Sequence, residues 1–597
     1  MLRLTQRFFI CYVLFLASFK AIANNNTVQR NLLGYEYLHS AQIANKPLSM
    51  KAFSAYGDHQ QPSIQLQGTF TFSPAKFEEL PLAQLKLTEN SAVYQFEKRT
   101  RPAAFTEQRK SLPKMKVSFV QFNDKIIPEN RQLQLTNHPH WDFIIGTGNI
   151  WQEANDNNFS RIAMPFALVE KNQNCVHNGV LSFLVDQQGK SSKFYYQISS
   201  ETCLYYKVDM WGKGKVTYKE NKEVFNNTDT LIKQYKTELI SRIPQQPIAA
   251  LIAKNATIEL SNLALVDYIK PTDMTSFGVI YNGIHFASKC QTRFGDYPFC
   301  SQLVLPSYST AKSIFGGISM LYLAKDYPAI FDEKVSDWVE ECQGDKWQGV
   351  SFGHLLNMTT GNYHLTGHSA DEAAEHSQEF FKAETHQGKV AYSCRQFPRK
   401  SSPGGTFVYH TSDTYLLGTA LNAFLKHQLI ASGKSAKVDL FNIIFKQKLW
   451  PQLNLSQVAY SSRKTIDNLK QPFVGFGLFF INDDIAKISQ FLMSEQLGKS
   501  NILDKIKLNS TLHNNQSHKD THSQYPFIHY QNGFWKRNVT TLLKCEKETW
   551  LPYMLGYGGI NIVLAKDNLQ YYYFSDSDHY LWLDAIKELN KLTPLCR

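Results

Sequence analysis

An α+β fold is what this 597-residue sequence predicts. Three observations predict it. Residues 24–225 break into short β-like runs separated by turn residues. A strand-like segment at 276–287 is then followed by longer helical patterns. Two late β runs and a last helical segment close the chain. The apolar fraction of 43%, with 13% aromatics, is enough for large buried cores, and the length suits two to four domains. Disorder is therefore not the default state.

The chain starts MLRLTQRFFICYVLFLASFKAIA. Arg3 and Arg7 form a positive head, and residues 8–19 form an apolar run of 12, too short to span a bilayer comfortably. Ala21-Ile22-Ala23 is a small-x-small cleavage site. Residues 1–23 are thus expected to be a signal peptide, and the mature protein periplasmic or secreted. No other segment is long and apolar enough to cross a membrane. Cleavage takes away Arg3, Arg7 and Lys20 and no acid, so the formal charge falls from +12 to +9. Spread over the mature chain, that is mild, and no nucleic-acid partner is expected.

Of nine cysteines, Cys11 lies in the leader. Eight remain, an even number in an exported chain, which reads as disulfides. Pairing between sequence neighbours is the expectation: Cys175–Cys203, Cys290–Cys300, Cys342–Cys394 and Cys545–Cys596. Only the second is suggested by its short loop, and the spacing leaves other connectivities open. There is no C-x-x-C and no H-E-x-x-H, so neither a metal site nor a cofactor is expected.

The β-like region contains IQLQGTFTFS (64–73), KVSFVQFND (116–124), VLSFLVDQ (180–187), KFYYQISS (193–200) and KVTYKEN (215–221). It reads as a mostly β N-terminal domain over 24–225, with a sandwich as one possibility and no family to suggest its role. TLIKQYKTELISRI (230–243) has helical spacing until PQQP (244–247) breaks it, so a boundary is placed near 225–250. Beyond it, SFGVIYNGIHFA (276–287) is strand-like. SDTYLLGTALNAFLKHQ (412–428) and DDIAKISQFLMSEQLG (483–498) are helical. GINIVLA (559–565) and LQYYYFSD (569–576) are strands, and LWLDAIKELNKL (581–592) is the closing helix.

The chemistry centres on SYSTAKS (307–313). Ser309 and Lys312 open a helix whose apolar stripe is Ile314, Phe315, Ile318, Leu321 and Tyr322. A spacing of three places both side chains on one face. A serine hydroxyl becomes a nucleophile when a neighbouring base takes its proton, and a lysine with a lowered pKa can be that base. Alone, S-x-x-K is a weak signal. It is followed by VSFGHLLNMTTGN (350–362), by SSPGGTFVYHTSDTYLLG (401–418) and by YMLGYGGINIVLAKDN (553–568). Tyr409 can exchange a proton with a serine. The glycine-rich strand start can offer a backbone N–H to an oxyanion. His410 suggests a Ser-His-Asp set, but no G-x-S-x-G elbow exists and no aspartate has a recognisable partner position. His354 reads as a packed helix histidine.

In order and spacing, these segments resemble the class C β-lactamase and penicillin-binding-protein-like serine hydrolases over about residues 250–597. The resemblance implies a β-lactamase/transpeptidase-like domain at 226–597, with an antiparallel sheet flanked by helices and a helical subdomain. It implies that Ser309 is acylated, that Lys312 and Tyr409 share the proton transfers, and that the N–H groups of Ser309 and Tyr557 bind the oxyanion. Two departures stand out. Thr411 replaces the asparagine of the tyrosine motif and loses its two-donor amide. If Gly556 matches the glycine of the third motif, Met554 replaces its lysine. Both departures point away from β-lactamase and D,D-carboxypeptidase activity and toward the esterase and 6-aminohexanoate-dimer hydrolase branches. The expected activity is cleavage of an amide or ester in a small or peptide-like substrate. The alternatives are a β-lactamase or D,D-carboxypeptidase, and an inactive binding protein. Substrate and oligomeric state are left open.

Overall fold

The computed structural model describes residues 32–55, 59–62, 64–74, 83–87, 111–154, 156–204, 207–221, 228–367, 369–433, 438–513, 521–522 and 525–596. The expected leader, residues 1–23, lies outside them. The described part is α+β, with two large sheets and a helical region inserted within the second of them, after its strand Ile284–Ala287 and before its strand Thr521–His522.

The first sheet has ten strands between Gln67 and Glu220. Strand Gln67–Pro74 pairs on one side with Met115–Phe122 and on the other with Val208–Glu220. The sheet therefore closes on itself, and every pairing in it is antiparallel. A sandwich is not what forms; the region is a barrel-like closed sheet, which leaves its closing strand no open edge. Its interior is filled by side chains. Phe70 stacks on Phe119 at 4.2 Å between ring centres, and Phe183 and Phe194 meet Phe70 and Phe72 edge-on. Two long strands, Ser160–Glu170 and Val176–Val185, are buried along their whole length, so both of their faces are covered.

The second sheet has nine strands. Met274–Tyr281 pairs with Leu569–Ser575, then Ile560–Lys566, Trp550–Gly556 and Phe534–Asn538 follow, all antiparallel. Only the short Gln245–Pro247 runs parallel to its neighbour. The predicted strands at 276–287, 559–565 and 569–576 all lie in this sheet, and the closing helix is Leu583–Asn590. Among the described residues the longest helix is Thr411–Ala431; its opening turn, Thr411-Ser412-Asp413-Thr414, is polar yet buried, and the apolar stretch begins at Tyr415.

One core joins the parts. Trp151, Val180 and Tyr195 of the first sheet belong to the same apolar cluster as Phe315 and Leu321 of the helical region and Met554 and Ile562 of the second sheet. All four expected disulfides are present: Cys175–Cys203, Cys290–Cys300, Cys342–Cys394 and Cys545–Cys596.

Candidate active site

Ser309 follows a strand end and precedes a helix. Leu305–Pro306 pairs with Phe479–Phe480, and the chain then turns at Ser307 and Tyr308. Tyr308 adopts φ of +41°, an uncommon conformation for a bulky residue. After Ser309 the helix opens with a wide π segment, Lys312–Gly317, before the α-helix Ile318–Ala324. Such widened turns recur at functional sites. Small residues are needed here: a Cβ on Gly317 would lie 2.7 Å from the Asn532 carbonyl oxygen.

Lys312 is buried, and its Nζ donates to Ser309 Oγ at 2.9 Å, to Thr411 Oγ1 at 2.9 Å and to the Gly475 carbonyl at 3.2 Å. Burial lowers its pKa from 10.5 to about 8, against the pull of Glu372 and Asp413, which favour the charged form. Near pH 8 the amine is therefore half neutral and able to accept a proton. Tyr409 lies over this pair, with Lys312 Nζ 4.9 Å from the ring centre. Burial first, then Tyr530 and Glu372, push the phenol well above its ordinary range, while a hydrogen bond with Ser309 pulls it back. Tyr409 is thus a phenol at neutral pH, fit to donate a proton.

Thr411 begins the long helix. Its hydroxyl accepts from Lys312 and donates to Glu372 Oε1, and its N–H donates to Glu372 Oε2 at 3.0 Å. Glu372 was not marked by the sequence. It sits in SADEAAEH (369–376), an acidic stretch with no motif, and only the fold sets it against the helix start. A carboxylate on the first N–H of a helix is favourable by charge and by hydrogen bonding.

Gly556 ends the strand Trp550–Gly556 and Tyr557 follows it, beside the turn that carries Ser309. A Cβ on Gly556 would lie 2.9 Å from the Ser307 carbonyl oxygen, so glycine lets the two backbones run together. The Tyr557 ring lies 5.7 Å from that of Tyr308. Ser309, Tyr409, Thr411, Gly556 and Tyr557 all line one cleft of about 960 Å³, and Lys312 reaches it through its bonds to Ser309 and Thr411.

The structure adds to the sequence readings of Met554, His410 and His354. Met554, aligned with the third-motif lysine, is fully buried in the shared core, whereas Tyr553 and Leu555 line the cleft. Side chains alternate along a strand, so Met554 packs on the face turned from the cleft and brings no charge to it. Lys544 and Lys547, basic neighbours of that strand, are exposed and do not line the cleft. A cation is present instead on the adjacent strand: Arg537 lines the cleft, with Glu170, Glu372 and Asp578 as its acids. His410 does have aspartate partners, Asp371 at 2.9 Å and Asp413 at 3.8 Å, and it stacks on Phe397 at 4.1 Å. Burial would lower its pKa, but these acids raise it to about 9. It is a buried imidazolium outside the cleft lining. His354 closes the N-terminus of helix Phe352–Leu356 by a reciprocal pair of bonds with Ser351.

Residues 286–430, which hold Ser309, Lys312, Tyr409 and Thr411, match the family model described as Beta-lactamase. No curated protein matches the chain. Among solved structures, the chain is similar to a Bacillus anthracis protein described as a 6-aminohexanoate-dimer hydrolase (15% identity, 55% of this chain, 79% of that one, TM-score 0.39). It is also similar to a D-stereospecific amidohydrolase from Streptomyces sp. (13%, 55% and 96%, TM-score 0.37). A class C β-lactamase in complex with cefoxitin is a third (15%, 61% and 99%, TM-score 0.37). The resemblance carried by the S-x-x-K and tyrosine segments is therefore one to the β-lactamase-related hydrolases, while the glycine-strand segment lies beyond the matched residues.

Proposed function

We propose that this chain is a serine hydrolase that cleaves an amide or ester through an acyl-enzyme on Ser309. The observation that carries this reading is the buried Lys312, bonded to Ser309 Oγ at 2.9 Å with its pKa lowered to about 8. In its neutral form Lys312 takes the serine proton as Oγ attacks the carbonyl carbon. The tetrahedral oxyanion sits against the N–H groups of Ser309 and Tyr557. Tyr409 gives its proton to the leaving amine or alcohol and recovers one from the Lys312–Ser309 pair. Water then attacks the ester of Ser309 by the same route in reverse.

The cleft's three acids, Glu170, Glu372 and Asp578, outnumber its Arg537 and disfavour a carboxylate beside the reacting bond. Neutral esters and amides are thus the preferred substrates. The second reading, a β-lactamase or D,D-carboxypeptidase, is favoured by one observation, the Arg537 side chain in the cleft. The expected division of the chain is a leader at 1–23, the β region at 24–225 and the hydrolase at 226–597. Export is supported by the leader sequence and by four disulfides. Among the described residues, no helix is long and apolar enough to cross a membrane.

The test is labelling with a fluorophosphonate, followed by peptide mass mapping. The adduct is expected on the peptide containing Ser309 and lost in Ser309→Ala. An adduct on another serine, or none despite measured hydrolysis, overturns the assignment.

A further inference from the structure

We infer that Asn174, in the barrel-like first sheet, is a positioning residue for the nucleophile, so that the N-terminal region is part of the catalytic unit. The inference rests on Ser309 being the nucleophile.

Asn174 lies in the turn between Ser160–Glu170 and Val176–Val185, and it is fully buried. Its Oδ1 accepts the Tyr308 N–H at 2.7 Å, the Gly477 N–H at 2.9 Å and the Ser307 hydroxyl at 3.1 Å. Its Nδ2 donates to the Leu478 carbonyl at 3.3 Å. One side chain thus ties two segments that hold opposite sides of the Lys312–Ser309 pair. Ser307 and Tyr308 lead directly into Ser309. The segment at 474–478 supplies the Gly475 carbonyl that accepts from Lys312 Nζ.

Both segments need an external hold. Tyr308 has φ of +41° and the β-branched Val474 φ of +61°, conformations that persist only where the surroundings over-determine them. Burying four polar groups at the junction also demands that each be bonded, and Asn174 answers all four with one amide. The same part of the barrel adds more. The Tyr308 hydroxyl donates to the Cys203 carbonyl at 2.9 Å, and Cys203 is bridged to Cys175, the next residue after Asn174. Arg463 clamps the turn from outside through the carbonyls of Gln173, Val169 and Glu170. The side chains of Glu170 and Gln173 themselves line the cleft. The barrel's own interior is packed with apolar side chains, so its contribution to the site is made through this turn and the Cys203 segment bridged to it.

The experiment compares the full-length protein with Asn174→Ala and Asn174→Asp. Near-UV circular dichroism checks the fold, the fluorophosphonate labelling rate reads acylation, and ester hydrolysis gives kcat and KM across pH. A displacement of about 1 Å at a nucleophile costs about a hundredfold in rate. Folded Asn174→Ala is expected to label about a hundredfold more slowly and to lose kcat with KM held within about threefold. The pH midpoint assigned to Lys312 is expected to move as its Gly475 partner shifts. Asn174→Asp keeps the three accepted bonds and is expected to restore labelling to within about tenfold of wild type. A folded Asn174→Ala that labels at the wild-type rate with an unmoved midpoint overturns the inference. If Asn174→Ala does not fold, Asn174→Asp decides: a folded protein labelling about a hundredfold more slowly overturns it. Absence of any Ser309 adduct in the wild type overturns the hydrolase reading instead, a result separate from either of these.

Discussion

The two sheets meet the same cleft in different ways. The nine-stranded sheet offers side chains: Trp535, Arg537, Tyr553 and Leu555 form its wall, and the strand end at Gly556 runs against the nucleophile turn. The barrel-like sheet offers mainly bonds to backbone, through Asn174 and the Cys203 carbonyl. The difference teaches which changes should alter substrate choice and which should alter rate. A wall residue contacts whatever is bound. A brace contacts nothing that reacts, but it sets where the reacting atoms are.

The largest effects should come from the groups that both sheets surround. Lys312→Ala and Tyr409→Phe are each expected to slow acylation by about 10²–10⁴-fold. Their joint loss should be smaller than the product, because they act as a unit. Full activity in Tyr409→Phe would remove that residue from the mechanism. Next come the disulfides, which sort by sheet. Removal of either Cys175–Cys203 or Cys545–Cys596 as a Ser pair is expected to cost about 2–4 kcal/mol in denaturant unfolding. Only loss of the first, beside Asn174, should also slow labelling of protein that is still folded. Equal activity in the two variants would break the comparison.

A smaller effect is expected at the wall. Nitrocefin and D-Ala-D-Ala peptides, whose carboxylates must be desolvated, should turn over slowly beside neutral esters. Whatever residual turnover they show should fall about tenfold in Arg537→Ala, the worth of a hydrogen bond of about 1.5 kcal/mol to a charged group. Neutral esters should be unaffected. Efficient nitrocefin hydrolysis that depends on Arg537 would favour the second reading. The smallest effect is in pH. Because Lys312 titrates at about 8 and acts as the neutral amine, kcat/KM should rise as pH climbs from 7 to 8, by about fivefold. A profile flat across that range would exclude Lys312 as the base.

Legibility follows the same division. The contact of Ser309 with Lys312 could be read because a spacing of three sets two side chains together on one helical turn, and spacing is written in the chain. Barrel closure could not be read, since it pairs Gln67–Pro74 with Val208–Glu220 across a long stretch of chain. Which residues of the third motif face the cleft could not be read from the alignment of Met554 with the motif lysine: Tyr553 and Leu555 do. Neighbouring side chains of a strand face opposite ways, and Met554 packs into the core between these two. Glu372 and Asn174 were missed for a related reason. Each is a single polar residue in an ordinary turn or short helix, and its partners lie far away in sequence. For His410, the acid partners Asp371 and Asp413 existed, but Asp371 is 39 positions upstream.

The cysteine connectivity has a consequence for biogenesis. Each of the four bridges joins two cysteines that are consecutive along the chain, so the loops follow one another and none encloses or crosses another. A chain threaded N-terminus first into an oxidising compartment presents each thiol with its native partner as the next to arrive. Oxidation in simple order of arrival then yields the native set, with no mispaired bridge to be exchanged later. The condition is that Cys11 stays out of the sequence of pairings, as it would if it left with the leader.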